Sequence, residues 1–127
     1  MFHGYTYSAN PMACAAALAT LDTYEEDGLF TRGTELWSYW EDAVHSLRGL
    51  PHVRDIRNMG FIGAVELESI PGKVTKRATE AFLKAYDKGL LIRTTGDIIA
   101  FSPPLIIKKS EIDFMFQTMR DVLQTIE

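Results

Sequence analysis

Apolar and polar positions in the first part of the chain repeat with the period of an α-helix. Residues 10–27 are rich in alanine, Asn10 can cap their first turn with its side-chain oxygen, and Pro11 suits the first helical position. Gly28 stands where a left-handed residue closes a helix. A second helix is predicted over residues 29–47, whose apolar residues recur at helical spacing: Leu36, Trp40, Val44 and Leu47. The pattern leaves open whether Gly28 separates two helices or only kinks one.

The period then changes to the alternation typical of β-strands. Residues 53–57 alternate apolar and charged side chains, which predicts a strand with one solvent-exposed face. Residues 61–67 form a second predicted strand. Gly60 joins the two, so the pattern predicts either a hairpin or a bent, continuous ribbon. Pro71 and Gly72 mark a turn after them.

The second half of the chain repeats this alternation of element types. Residues 74–88 have one apolar face and are followed by Gly89, which predicts a helix and its end. Two short apolar segments, residues 90–93 and 98–101, are predicted strands. The Ser-x-x-Asp form of a capping box opens a final predicted helix over residues 110–125.

The predicted order of elements is helix, helix, strand, strand, helix, strand, strand, helix. Adjacent strands joined by short turns favour antiparallel pairing, and the amphipathic helices need a sheet face on which to bury their apolar stripes. The sequence therefore predicts an α+β, two-layer domain with helices packed on one face of a small, mostly antiparallel sheet. A chain of 127 residues can bury one such core but not two.

Composition narrows the classes of partner. The net charge is −4 and the isoelectric point is near 5.3, so we expect no nucleic-acid partner and no anionic membrane surface. One cysteine, Cys14, excludes an internal disulfide and favours a reducing compartment. The apolar stretches are shorter than the roughly 20 residues of a membrane span, and the first residues do not resemble a signal peptide. We therefore expect a cytoplasmic protein, and its three scattered histidines predict no metal site.

Two places in the sequence carry candidate binding chemistry. Residues 3–11 form a loop with glycine and hydroxyl side chains that leads into the first helix, and such loops can hold a phosphate group. Within that loop Thr6 alone would more simply be a turn-capping residue. Arg93 follows an apolar run and precedes a glycine-containing turn, where a guanidinium could bind a carboxylate through two parallel hydrogen bonds. The alternative is an ion pair between Arg93 and Asp97 across that turn.

Several sequence segments in fixed order carry a resemblance to a known family. They are His3-Gly4-Tyr5-Thr6-Tyr7-Ser8, Asn10-Pro11, Gly60 to Leu67, Gly89 to Arg93, Gly96-Asp97 and Ser102-Pro103-Pro104-Leu105. Together they resemble the C-terminal portion of the class III, pyridoxal-phosphate-dependent aminotransferases, most similarly the ω-amino acid:pyruvate (β-alanine:pyruvate-like) transaminases. One departure is Ala9-Asn10, where the family more often has Gly-His or Ala-His.

The resemblance implies roles for three residues. In such enzymes the threonine of the first loop reaches across a dimer interface to the phosphate of the partner subunit's cofactor, which here is Thr6, with Tyr5 beside that phosphate. The arginine matching Arg93 binds the carboxylate of the amino-acid or keto-acid substrate. The resemblance also implies the C-terminal small domain of a fold-type I pyridoxal-phosphate enzyme over residues 31–127, preceded by a phosphate-loop and interdomain helix over residues 1–30.

The catalytic groups of a transaminase are not recognisable in the chain. All six lysines fall in predicted turns or on polar helix faces: Lys73, Lys76, Lys84, Lys88, Lys108 and Lys109. The family places its Schiff-base lysine and the carboxylate that contacts the cofactor ring in a large domain, upstream of this part. The resemblance therefore implies an inactive fragment that does not bind pyridoxal 5′-phosphate tightly alone. Its partners would be that large domain, a second subunit in a homodimer or tetramer, and small amino and keto acids.

Two alternatives remain at the level of sequence. The chain could be a free-standing, non-catalytic α+β binding or interaction module, since a fold does not dictate a function. It could also be the small domain of another class III enzyme, such as a mutase or a decarboxylase, because small domains distinguish these activities poorly.

Overall fold

A computed structural model describes residues 4–127, which contain four helices and four strands. They are α1 (Pro11–Glu26), α2 (Leu29–His45), β1 (Val53–Met59), β2 (Ile62–Leu67), α3 (Lys76–Asp87), β3 (Arg93–Thr95), β4 (Ile98–Phe101) and α4 (Lys109–Leu123). This order confirms the predicted one. None of the helices in the described residues is long and apolar enough to cross a membrane.

The four strands form one sheet in the order β1-β2-β4-β3, with every neighbouring pair antiparallel. Met59 pairs with Ile62, so Gly60 and Phe61 form a two-residue hairpin loop. Gly60 adopts a φ of 54°, a left-handed conformation that glycine tolerates without steric cost. The structure thus contains a hairpin at this joint rather than a bent ribbon.

The core lies between the inner face of the sheet and helices α2, α3 and α4. Ile56, Val65 and Ile99 are neighbours in register across three strands and are all buried. Trp40 of α2 is fully buried and packs edge-on against Phe61 and Phe116, at ring-centroid distances of 5.6 and 5.2 Å. Because the helices of this core all cover one face of the sheet, the predicted two-layer α+β architecture is confirmed.

Helix α1 lies outside this core. Its N-terminus is capped as predicted, since the Asn10 side chain accepts a hydrogen bond from the Ala13 N–H at 3.1 Å. It has no buried residue, and its packing on α2 includes an edge-on contact of Tyr24 with Phe30, 5.2 Å between ring centroids. Gly28 is left-handed, with φ of 60°, and separates α1 and α2 as two helices.

Helix α3 begins two residues later than the pattern predicted. Thr75 adopts a positive φ of 73°, which is incompatible with a helical residue, so the helix starts at Lys76. The buried positions of the helix are Ala78, Ala81 and Ala85, as its apolar face predicted. No sequence pattern indicates a left-handed conformation at Thr75, because threonine is β-branched and rarely adopts it.

The predicted strand over residues 90–93 is wrong. Leu90 and Ile92 are buried, but the Leu90 N–H donates to the Ala85 carbonyl at 2.9 Å and so closes α3 instead of joining a ladder. The strand begins at Arg93, where the prediction had it end. A short apolar run signals burial without saying which element buries it.

The final helix also starts at a different residue from the predicted one. It begins at Lys109, and the Glu111 carboxylate accepts a hydrogen bond from the Lys108 N–H at 2.7 Å. Ser110 therefore lies inside the first turn and is not the capping residue, so the predicted Ser110–Asp113 box is wrong. The apolar stripe of this helix is buried as expected, at Ile112, Phe116, Met119 and Leu123.

Candidate functional site

A groove of about 900 Å³ lies beside the edge strand β3. Its position follows from the sheet register, because Arg93 pairs with Ala100 and the start of β3 therefore lies beside the end of β4. The segment that leaves β4, from Ser102 to Pro104, continues along the same groove. Two sequence segments that lie apart in the chain, the one ending at Arg93 and the one containing Pro103 and Pro104, thus line one surface.

Arg93 is exposed at this groove, and within residues 4–127 its side chain makes no hydrogen bond or ion pair. Its cross-strand neighbour Ala100 is small, so no bulky side chain from that position covers the guanidinium. An exposed arginine without a carboxylate partner keeps all five N–H donors available to a bound anion. Arg93 is therefore free to bind a carboxylate in the two-bond geometry.

Asp97, the alternative partner of Arg93, points elsewhere. Gly96 and Asp97 form the two-residue loop between β3 and β4, and Asp97 is 8% exposed. Its Oδ2 accepts a hydrogen bond from the Ser69 hydroxyl at 2.5 Å, and its carbonyl accepts from the Leu67 N–H at 2.8 Å. These bonds fasten the hairpin loop to the end of β2, so the predicted alternative ion pair is not formed.

The remainder of the groove is mainly apolar. Its lining includes exposed Leu91 and Ile106 and the buried or half-buried side chains of Phe82, Leu90, Ile92, Phe101, Ile107 and Met115. Besides Arg93, its charged groups are Lys108, which is exposed, and Glu111, whose carboxylate is bonded to the Lys108 N–H. This lining suits binding of a small molecule with an apolar body and an anionic end, but it offers no activated nucleophile.

The predicted phosphate loop lies in an exposed turn before α1. The Ser8 N–H donates to the Tyr5 carbonyl and the Asn10 N–H to the Tyr7 carbonyl, both at 3.3 Å. Thr6 and Tyr5 are exposed, and neither lines the groove of Arg93. The structure thus brings Arg93 together with the proline segment but not with Thr6. His3, the first residue of the same sequence segment, lies outside the described residues.

The lysines of the chain are surface residues. None is buried; Lys84 pairs with Glu80 at 2.7 Å, Lys76 pairs with Glu127, and Lys109 lies 4.9 Å above the Tyr39 ring. The hydrogen bond from Lys84 lowers the pKa of the Glu80 carboxyl. A lysine that acts as a nucleophile is activated by a desolvated, apolar pocket or by a neighbouring cation. No lysine in the chain has the apolar environment that would activate it.

These observations decide how much of a pyridoxal-phosphate site the chain could supply. The exposed hydroxyl of Thr6, in a turn that leads into a helix N-terminus, fits a phosphate group. The covalent partner of the cofactor does not fit any residue of the chain, because all six lysines are solvated. The chain could therefore hold the phosphate end of the cofactor and a substrate carboxylate, but not the reacting centre.

Sequence reasoning missed one residue that bonds to a segment of the groove without lining it. The Arg32 guanidinium of α2 donates hydrogen bonds to the carbonyl oxygens of Ile107, which lines the groove, and of Leu105, which does not. These partners lie 73 and 75 residues away along the chain. No local pattern could have revealed the contact, since an arginine on a helix surface normally points to solvent.

Known proteins resemble the chain along nearly its whole length. The family model described as "Aminotransferase class-III" matches residues 1–123. The omega-aminotransferase of Caulobacter vibrioides is 58% identical over all of this chain, which spans 29% of that relative. The beta-alanine–pyruvate aminotransferase of Pseudomonas aeruginosa is 40% identical over 98% of the chain and 28% of the relative.

Solved structures show the same likeness. The adenosylmethionine-8-amino-7-oxononanoate aminotransferase of Methanocaldococcus jannaschii superposes with a TM-score of 0.89 at 27% identity, over all of this chain and 30% of that one. A thermostable omega transaminase from Pseudomonas jessenii gives 0.86 at 28% identity, over 97% of this chain and 29% of that one. The chain spans less than a third of the length of each of these four proteins. From the family match and these identities, the chain belongs to the class III aminotransferases.

Proposed function

We propose that this chain is the carboxylate-recognition part of a pyridoxal-phosphate-dependent ω-transaminase. The complete enzyme would exchange an amino group between an ω-amino acid or amine and a keto acid such as pyruvate. Arg93 would bind the substrate carboxylate, and the apolar groove beside it would take the carbon chain. Residues 31–127 would form the small domain, and residues 1–30 the phosphate loop with an interdomain helix.

The observation that carries the proposal is the state of Arg93. It is an exposed cation at an apolar groove, its nearest acidic candidate Asp97 is bonded to Ser69, and it lines that groove together with Pro103 and Pro104. A carboxylate fits a guanidinium better than a simple amine donor does, because only the carboxylate accepts two parallel hydrogen bonds. The two relatives compared above, an omega-aminotransferase and a beta-alanine–pyruvate aminotransferase, have names that are consistent with such substrates.

Thr6 and Tyr5 would contact the cofactor phosphate of a second subunit. Support for this comes from their exposure and from their absence from the lining of the Arg93 groove. A threonine hydroxyl can orient a phosphate without adding charge, and the turn before α1 brings it near a helix N-terminus. The proposal requires at least a homodimer, and a tetramer of two such dimers also satisfies it.

Pyridoxal phosphate, when bound, supplies the electron sink that lets an amino group leave one carbon skeleton and join another. In the proposed enzyme this chain binds and orients the substrate carboxylate and the cofactor phosphate. The lysine that moves the proton belongs to the large domain. The chain alone is therefore inactive in the proposal, which rests on the solvated state of all six of its lysines. A cytoplasmic location stays a prediction from sequence.

The free-standing module receives less support from the structure. Helix α1 has no buried residue, and its apolar side chains Met12, Leu18 and Leu21 are more than half exposed. A self-sufficient domain rarely exposes an alanine-rich helix that contributes nothing to its core. The helix is better explained as a contact surface for the rest of the enzyme.

The role of Arg93 is tested by Arg93→Ala in the complete protein, assayed with a carboxylated donor and with a primary amine that lacks a carboxylate. Loss of a charged, two-bond contact should raise KM for the carboxylated donor about 10- to 100-fold. KM for the amine donor should change about twofold or less. Arg54→Ala is the matched control, because Arg54 is an exposed arginine of the same sheet whose ion pair with Glu66 spans 3.6 Å. Equal losses with both donors would contradict the proposal.

The absence of a catalytic lysine is tested by titrating the isolated chain with pyridoxal phosphate and recording its near-ultraviolet and visible absorbance. We expect no stoichiometric shift of the absorbance band in the isolated chain. The complete protein should give such a shift, and borohydride reduction should make the attachment of the cofactor to its lysine permanent. Stoichiometric covalent labelling of the isolated chain would overturn this part of the proposal.

A further inference from the structure

The segment from Ser102 to Lys108 forms one wall of the groove, which all of its residues except Leu105 line. It has few hydrogen bonds between its own backbone atoms. Pro103 and Pro104 have no N–H groups to donate. In the described chain, one hydrogen bond joins backbone atoms within the segment, from the Ile107 N–H to the Pro104 carbonyl at 3.1 Å. A segment with so few internal hydrogen bonds depends for its shape on hydrogen-bond donors from other parts of the chain.

Arg32 provides those donors. Its two terminal nitrogens donate separately, one to the Leu105 carbonyl and the other to the Ile107 carbonyl. The guanidinium is half-buried near the start of α2, and a Cβ on the next residue, Gly33, would contact the Leu105 side chain at 3.5 Å. The planar fork of arginine can bridge two carbonyls in fixed geometry, whereas a lysine ammonium is a point donor on a flexible stem.

The segment bonded by Arg32 is continuous with the place where Arg93 stands. Arg93 pairs with Ala100, and Ser102 follows two residues later along the same chain. Pro104, Ile106 and Arg93 then line the same groove, with Ile106 62% exposed within it. The hydrogen bonds of Arg32 therefore hold part of the segment that lines the groove together with Arg93.

We infer that Arg32 is a positioning residue for carboxylate recognition at Arg93. It acts through the backbone of residues 105–107, which it holds in place, and touches no substrate itself. This inference rests on the proposed function, because it requires Arg93 to be the carboxylate-binding residue. If the wall is loosened, the enzyme should bind less tightly those substrates whose carboxylate is held against it. Donors without a carboxylate should be affected much less.

The test is a double-mutant cycle of Arg32→Gln and Arg93→Ala in the complete protein. Arg32→Gln alone should raise KM for a carboxylated donor about tenfold, leave kcat within about twofold, and leave a simple amine donor within about twofold. In the Arg93→Ala background the same substitution should change KM for the carboxylated donor by less than about twofold. Arg32→Lys should restore part of the loss by keeping one donor.

Arg120→Gln is the matched control, since Arg120 also donates from a helix to a backbone carbonyl, that of Ser46, at 2.9 Å, and does not line the groove. It should leave both donors unchanged. A fully additive cycle, or equal losses with both donors from Arg32→Gln, would overturn the inference.

The two proposals can fail separately. If Arg93→Ala itself shows no selective effect, the carboxylate role of Arg93 fails and this inference fails with it. If Arg93→Ala is selective but Arg32→Gln is not coupled to it, only the positioning role fails. Circular dichroism and thermal unfolding of Arg32→Gln would identify a general loss of fold, and in that case the milder Arg32→Lys carries the cycle.

Discussion

Helix α1 and the rest of the fold, residues 29–127, differ in what holds them in place. The larger region buries a continuous apolar core, in which Trp40, Leu47 and Met119 are completely inaccessible to solvent. Helix α1 is 16 residues long and buries none of them. Its cap at Asn10 and its left-handed closing residue Gly28 are well formed, so its ends are specified locally although its sides bury no residue.

The difference separates the surfaces that the chain buries by itself from those that the proposed large domain or second subunit would cover. A short isolated helix is only marginally stable in water, and most helices in proteins are stabilised by packing on an apolar face. An alanine-rich helix allows close approach by another backbone, which suits an interdomain or intersubunit contact. The exposed turn with Thr6 leads directly into this helix, so the proposed phosphate contact belongs to the region that needs a neighbour.

The largest expected effect comes from a substitution that disrupts the core and leaves α1 unchanged. Trp40→Ala should lower the free energy of unfolding by about 3–5 kcal/mol, because it empties a fully buried site between Phe61 and Phe116. Leu18→Ala in α1 should change it by no more than about 0.5 kcal/mol in the isolated chain, since Leu18 is 63% exposed. Urea unfolding measures both.

In the complete protein Leu18→Ala should lower the free energy of unfolding clearly more than in the isolated chain, because the proposed neighbour that covers α1 is then present. Equal effects of Leu18→Ala in the chain and in the complete protein would contradict the assignment of α1 as a contact helix.

Smaller effects are expected at two glycines, Gly63 and Gly33, which differ in the space available for an added side chain. A Cβ at Gly63 of β2 would lie 3.0 Å from a Val44 methyl, so Gly63→Val should destabilise by about 1–3 kcal/mol through overpacking. A Cβ at Gly33 of α2 meets neighbours at 3.5 Å, which is ordinary contact. Gly33→Ala should therefore stabilise by about 0.5–1 kcal/mol, as expected for a glycine inside a helix. Thermal unfolding of both variants checks the opposite signs.

The smallest expected effect concerns an ion pair on the surface of the larger region. The hydrogen bond from Lys84 lowers the pKa of Glu80 below its ordinary value of 4.5, so ionised Glu80 stabilises the folded state. This contribution is present above the unfolded pKa and is lost as the pH falls through the lowered folded pKa. Glu80→Gln should therefore reduce the loss of stability between about pH 6 and about pH 3, by less than about 1 kcal/mol. Chemical unfolding at a series of pH values measures it, and high salt should shrink the difference.

The fold could be predicted from the sequence where the signal is local. Asn10, Pro11 and Gly28 fixed the ends of α1, and the alternation over residues 53–57 marked β1 correctly. The start of α3 was missed because it depends on the left-handed conformation of Thr75, which threonine seldom adopts. The strand at residues 90–93 was misplaced because burial against a helix and burial in a sheet give the same apolar run.

The candidate site was predictable only in part, for the same reason. Arg93 was identified from the segments around it, but whether it paired with Asp97 depended on the Ser69 hydroxyl, 28 residues from Asp97 along the chain. The contact of Arg32 with the groove wall spans more than 70 residues and left no periodic pattern. Contacts between distant side chains arise from the folded arrangement and are absent from any short window of sequence.

Subunit complementation between Thr6→Ala and Arg93→Ala tests the central claim most directly, which is that Arg93 and Thr6 serve one active site from two different subunits. Each variant of the complete protein should be impaired alone with a carboxylated donor. In a mixed dimer one site would combine the intact Arg93 of one subunit with the intact Thr6 of the other. Statistical exchange should then restore about a quarter of the wild-type activity. A mixture no more active than the mean of the two variants would contradict the account.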